Sequence, residues 1–261
     1  MDKIFTPEFS TPLISHHVEH SILTITLQRP EKKNAITRDM YQGLHSALQA
    51  ARKDAQVKVV IIHGSKGNFS AGNDIADFLH HPPSDESSPV LQFLKTISEF
   101  NKPLIAAADG VAVGVGTTLL LHCDLVVLNE NTRLKLPFVE LGLCPEAASS
   151  LLLPRIIGSQ RAAQMILLSE MISAKEAFEW GLANKITTES SLISAMDYAH
   201  KMAKLPTESL ILSKSLLKSE TKESVSERLT LEAGHFVERL QGKDAKEAFT
   251  AFLEKRPPQF N

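Results

Sequence analysis

One carboxylate and two glycine-bearing turns are the parts of this sequence that could do chemistry. Glu146 stands in LGLCPEAASS at residues 141–150, with leucines before it and Ala147 and Ala148 after it. A carboxyl group in apolar surroundings keeps its proton to higher pH than usual, which suits a general base. Pro145 fits the first position of a helix and puts Glu146 in the first turn. A carboxylate there is also stabilised by roughly 0.3–1 kcal/mol through the helix dipole, with no catalytic role. The first turn, FSAGND at residues 69–74, contains Ser70, Ala71, Gly72, Asn73 and Asp74. Its small residues let a ligand approach the backbone, and N–H groups at a following helix start can face developing negative charge. Taken alone, it reads as a tight strand-to-helix connection. The second turn, GVAVGVGT at residues 110–117, carries Gly114 and Val115. It lacks both the G-x-G-x-x-G spacing of a dinucleotide site and the Gly-Lys-Ser/Thr of a phosphate loop. If two such turns come from adjacent units, each supplies one amide to a single carbonyl oxygen, which makes an oxyanion hole.

The elements that must position these groups follow from periodicity. SILTITL at residues 21–27 alternates as a strand, and VKVVII at 57–62 is a β-branched run of the kind found in buried strands. Between them, Met40, Tyr41, Leu44, Leu48 and Ala51 fall at helical spacing, with Thr37 as a cap. A turn cluster occupies residues 63–67. Further strands are expected at 103–108 and 125–128, separated by the second glycine turn and the start of a buried helix at 117–122. Strands followed by glycine turns and helices imply an α/β fold. Beyond Pro145 the chain reads as helical: a capping box at Ser173–Glu176 with Gly181 as the stop, a helix through Leu192 and Ala203 ended by Pro206, and a long helix marked by Val225, Leu229, Phe236 and Leu240. PPSDESSP at 82–89 is a polar, proline-flanked loop expected to be mobile. The layout is an α/β core over residues 1–200 and a helical region over 201–261.

Composition narrows the function. Lys plus Arg is 28 and Asp plus Glu is 30, a net charge of −2, without the basic excess of a nucleic-acid binder. Residues 104–121 are apolar enough to suggest a membrane span. Asp109 and three glycines interrupt them, so a buried strand, turn and helix fit better. The only cysteines, Cys123 and Cys144, are too few for a disulfide scaffold or a cysteine-built metal site. Cys144 reads as a small buried hydrophobe, with no base to activate it. His16, His17 and His20 lack carboxylates at ligand spacing and read as an exposed strand edge, while His80 and His81 read as solvated. No metal is expected. No G-x-S-x-G elbow supports a serine hydrolase. The first residues lack a secretory layout, so the cytoplasm is the expected location.

RPEKKNA at 29–35, FSAGNDIADF at 69–78 and KPLIAAADGVAVGVGTTLLLHCDLVV at 102–127 resemble the crotonase (enoyl-CoA hydratase/isomerase) superfamily, in order and over nearly the whole chain. That resemblance implies a spiral of β-β-α units with C-terminal helices that mediate a homotrimer or a dimer of trimers and cover the active site. It implies an acyl-CoA thioester as substrate, no separate cofactor, and no nucleic-acid or membrane partner. By motif position, the oxyanion hole would be the N–H groups of Ala71 and Val115. Ser70, Gly72, Asn73, Asp74, Gly114 and Phe138 would line the substrate site, and Arg29, Lys32 and Lys33 would border the nucleotide of coenzyme A. A solvated basic loop accounts equally well for those three charges.

The departures sharpen the expectation. Hydratases of this superfamily carry two glutamates where this chain has Thr118 and Phe138. Adding water needs one group to activate the water and another to supply the α-proton, so the usual hydration is disfavoured. CPEAASS resembles the motif of the peroxisomal-type Δ3,Δ2-enoyl-CoA isomerases of fatty-acid β-oxidation, in which one glutamate shuttles a proton between C2 and C4. The alternatives left open are another crotonase-type reaction, such as hydration or acyl-CoA hydrolysis, and a non-catalytic acyl-CoA-binding homologue.

Overall fold

The computed structural model describes residues 5–219 and 222–260. Among these residues nine strands form two sheets: β1 (Ile14–Glu19), β2 (Ile22–Leu27), β3 (Val59–Gly64), β4 (Leu104–Ala108), β5 (Val111–Val113), β6 (Leu125–Asn129), β7 (Arg133–Lys135), β8 (Ile172–Ser173) and β9 (Lys185–Thr187). The larger sheet runs β1-β2-β3-β4-β6-β9, antiparallel only between β1 and β2; the smaller runs β5-β7-β8. Alternation in β2 does what its sequence demands. Leu23, Ile25 and Leu27 are fully buried in the main core, whereas Ile22 joins a second core on the opposite face. Each buried leucine or isoleucine contributes roughly 1.5–3 kcal/mol, so a one-residue slip of register would be costly.

The helices are α1 (Arg38–Lys53), α2 (Ile75–His80), α3 (Pro89–Ser98), α4 (Val115–Thr118), α5 (Ser149–Ile157), α6 (Ser159–Leu167), α7 (Ala174–Glu179), α8 (Ser191–Ala203), α9 (Thr207–Lys218), α10 (Lys222–Leu240) and α11 (Lys243–Glu254). Thr37 caps α1 by accepting from the Met40 amide at 3.4 Å. Ser173 and Glu176 form the reciprocal capping box of α7. Helix α8 packs on β3, β4 and β6 and closes the second core through Ala195 and Ala199. Among the described residues no helix is long and apolar enough to cross a membrane. Residues 104–121 divide into β4, β5, α4 and a short 3-10 turn.

Two expectations need correction. Residues 63 and 64 continue β3 rather than open a turn, because Gly64 still pairs with Leu27. Glu146 is not in the first turn of a helix: α5 begins at Ser149. Ala147 and Ala148 intervene with φ of 58° and 55°, a left-handed conformation that cannot start a right-handed helix.

The two glycine turns are clasped main chain to main chain. Ser70 donates to Val111 O at 2.9 Å and accepts from the Val113 amide at 2.9 Å, while Phe69 donates to Asp109 O at 2.8 Å. At this contact a β-carbon on Gly116 would lie 2.7 Å from Ser70 O, and one on Gly72 would lie 2.7 Å from Val113 O. Gly116→Ala is therefore expected to force the turns apart and cost roughly 1–3 kcal/mol. The check is a lower urea midpoint, with Gly234→Ala in α10, where a β-carbon meets open space, leaving the midpoint unchanged or raised.

Candidate active site

A cavity of about 570 Å³ opens between α3, α10 and the loop at 82–88. Glu146, Ala147 and Asn73 are among the residues that line it, and Phe78, Leu91, Leu94, Leu229 and Phe236 supply much of its apolar wall. Glu146 is 8% exposed, and the Thr118 hydroxyl donates to its Oε1 at 2.6 Å. Burial pushes the Glu146 carboxyl up to about 7; the Thr118 bond works against this, and the negative charge of Glu232 adds to it. A carboxyl poised there exchanges protons readily at neutral pH. The other carboxylates on the cavity wall, Asp85, Glu86 and Glu99, are exposed.

The turn carrying Glu146 is anchored from the core. His122, buried in the 3-10 turn after α4, donates from Nε2 to Ala147 O at 2.8 Å. Burial pushes this imidazole down to about 4, so it is neutral and fixed as a donor to that carbonyl. Burial also pushes Cys144 up to about 11 and Cys123 to about 12, so neither supplies a thiolate at neutral pH. No metal-binding cluster occurs among the described residues.

Of the two amides expected to be free, one is already bonded. The Ala71 N–H donates to Lys33 O at 2.9 Å and is therefore occupied within the fold. One turn of chain further on, the neighbouring amides of Gly72 and Asp74 are bonded to Ser70 Oγ and Ile36 O. The Asn73 N–H between them has no acceptor among the described residues, and Asn73 lines the cavity. On the second turn, Gly114 adopts φ 55° and ψ −120°, a conformation that glycine alone takes readily. It leaves the Val115 N–H at the start of α4 with no intrahelical acceptor. The Val115 side chain is buried in the main core, and Val115, like Gly114, does not line the cavity. Tyr41, buried on α1, donates through its hydroxyl to the Asn73 side-chain carbonyl and pins that turn.

Several other expected site residues hold the scaffold. Arg29 donates to Asp74 Oδ2 at 2.7 Å and to Ala35 O at 3.1 Å. Burial disfavours the Asp74 charge, but the Asp77 amide and Arg29 outweigh it and hold the carboxyl below its usual range. Asp74 also caps α2. Arg29 and Asp74 thus form an internal clamp, while Lys32 and Lys33 remain exposed. Ser70 is fully buried, donating to Asn34 O at 2.9 Å. Phe138 is buried in the main core, and neither it nor Ser70, Gly72 or Gly114 lines the cavity. Asn34 is the organiser that the residue pattern did not disclose. Fully buried, it donates to Ser65 O and Asn68 O and accepts from the Arg29 amide.

A sequence profile described as enoyl-CoA hydratase/isomerase matches residues 17–261. The chain belongs to that family. It is 33% identical over 257 residues to 1,2-epoxyphenylacetyl-CoA isomerase of Escherichia coli (strain K12), covering 95% of this chain and 97% of that protein. It is 34% identical over 246 residues to enoyl-CoA delta isomerase 2 of Rattus norvegicus, covering 92% of this chain and 63% of that one. The solved structure of Pseudomonas aeruginosa OdaA matches with a TM-score of 0.91 at 44% identity, covering 93% of this chain and 99% of that one. The α/β crotonase-like fold implied by the motifs is the fold found.

Two consequences can be measured. Thr118→Val removes a bond that favours the charged carboxylate, so the ascending limb of a pH–rate profile should move to higher pH. Glu146 titrates near 4.5 when unfolded and near 7 when folded. Its cost to folding therefore builds up between those values and is constant above them. Glu146→Gln should raise stability at pH 8 by on the order of 2–3 kcal/mol and leave it nearly unchanged at pH 4, read by urea unfolding at the two pH values.

Proposed function

We propose that this member of the enoyl-CoA hydratase/isomerase family is a Δ3,Δ2-enoyl-CoA isomerase in which Glu146 moves the proton. The observation that carries the reading is the inventory at the cavity: one buried carboxylate, Glu146, with Thr118 bonded to it and Phe138 in the core. These last two stand where related hydratases are expected to hold glutamates. With no second buried carboxylate on the cavity wall among the described residues, activation of water and protonation of C2 have no separate agents.

Isomerisation needs only one. Glu146 as carboxylate takes the proton from C2 of a 3-enoyl thioester, the C2–H electron pair becomes the C1–C2 π bond of a dienolate, and the carbonyl π pair moves onto the oxygen. The thioester oxygen takes up negative charge and accepts from the Asn73 and Val115 amides, one N–H group from each of the clasped turns and neither bonded within the fold. The Ala71 amide, bonded to Lys33, has no part in this. The carboxyl group then returns the proton at C4, giving the 2-enoyl thioester and restoring the carboxylate. A carboxyl near pH 7 is matched to both steps, because it gives and takes the proton with little bias. The names of two relatives, enoyl-CoA delta isomerase 2 and 1,2-epoxyphenylacetyl-CoA isomerase, support bond rearrangement in an acyl-CoA. The run CPEAASS, which resembles the motif of the peroxisomal-type isomerases, supports the same reading.

The test supplies 3-enoyl-CoA and 2-enoyl-CoA to wild type and to Glu146→Gln. Wild type should convert the first to the second, with the variant slower by roughly 10²–10⁴-fold. Efficient hydration of 2-enoyl-CoA by wild type would overturn the reading.

A further inference from the structure

We propose that Glu232 is a positioning residue that lets the helix walling the cavity hold Glu146 in its reactive placement. The kinetic part of this inference rests on the isomerase reading above. Glu232 lies on α10 and is 6% exposed. Its Oε1 accepts from the Ser150 amide at 2.9 Å, and its Oε2 is buried with no hydrogen-bond partner. Glu232 does not line the cavity, so it acts through other groups.

Those groups are the ones that set Glu146. Ser150 belongs to the first turn of α5, and only Ala147, Ala148 and Ser149 separate it from Glu146. Two successive alanines in the left-handed region each cost on the order of 1 kcal/mol. Such a run persists only when both of its flanks are anchored. The core flank is anchored by His122 on Ala147 O. The outer flank is anchored from α10, by Glu232 on the Ser150 amide and by Arg228, which donates to Ser150 Oγ at 3.1 Å. The same helix sends Leu229, Thr230, Ala233, Phe236 and Val237 to the cavity wall. One rigid element thus touches the space of the acyl group and grips the turn of the base. A buried carboxylate with one oxygen unpaired is an expensive acceptor for a helix-end amide, because a neutral acceptor would satisfy the same N–H without burying a charge.

Glu232→Leu removes the grip, whereas Glu232→Gln keeps an acceptor oxygen for the Ser150 amide. With 3-enoyl-CoA, Glu232→Leu should lower kcat roughly 100-fold, as expected for a misplaced catalytic group, with KM within about twofold, and Glu232→Gln should recover most of kcat. Wild-type kcat in Glu232→Leu overturns the inference, as does a loss carried by KM or a Gln variant no better than the Leu variant. If Glu232→Leu does not fold, Arg228→Ala replaces it, and an unchanged kcat there overturns the inference equally. A crystal structure of the Leu or Ala variant decides the matter without the reaction: residues 146–150 should be displaced, and their superposition on wild type overturns the inference. Wild type that fails to move the double bond defeats the isomerase reading alone, since the crystal comparison still stands.

Discussion

The contact of main chain against main chain between residues 69–73 and 110–116 is the constraint on which the site depends. Ser70 bonds to both sides of Val111–Val113, and glycines at 72 and 116 leave no room for a β-carbon between the turns. The Ala71, Gly72, Asp74 and Gly114 amides are drawn into this stitching, and the Asn73 and Val115 N–H groups are left over. Their availability comes from how the rest of the turn is satisfied. Donors fixed in this way need little reorganisation when charge develops in front of them. Side chains secure the clasp from outside: Asn34 joins the loops at 29–35 and 65–68, the Arg29–Asp74 pair closes the entry to α2, and Tyr41 holds the Asn73 side chain.

Glu146 presents the opposite problem, a single side chain placed by a turn in which the next two residues, Ala147 and Ala148, adopt a disfavoured backbone. Its carboxyl is kept near neutrality by burial, opposed by the Thr118 bond and reinforced by Glu232. The balance is useful because neither form dominates. A carboxylate fully satisfied by donors would be too weak a base, and an apolar pocket without Thr118 would hold the proton too firmly. Catalytic competence and stability pull against each other here, since the folded chain carries a carboxyl group that would rather ionise in water.

What the sequence disclosed, and what it hid, follows the range of the interactions. Strand β2, helix α1 and the α7 capping box were legible because their signals are local: alternation, helical spacing and paired caps. Strands β5, β7 and β8 are two or three residues long and exist through pairing with distant partners, so no periodicity marks them. Glu146 was legible as a buried carboxylate from its apolar flanks. Its place before the helix was not, because the Pro145 signal for a helix start is common and alanine carries no signature of left-handed backbone. The choice between Ala71 and Asn73 as donor was hidden for a plain reason: a carbonyl at Lys33, remote in sequence, decides which N–H is free. Arg29 likewise reads as a loop cation until Asp74 is seen beside it.

The clasp is made of peptide groups, whereas the chamber beyond it is made of side chains from α3, α10 and the loop at 82–88. Evolution can therefore remodel the volume available to a ligand's tail by exchanging residues on three peripheral segments while leaving the reacting end untouched. A scaffold divided in this way can diversify what it accepts at little risk to how it reacts.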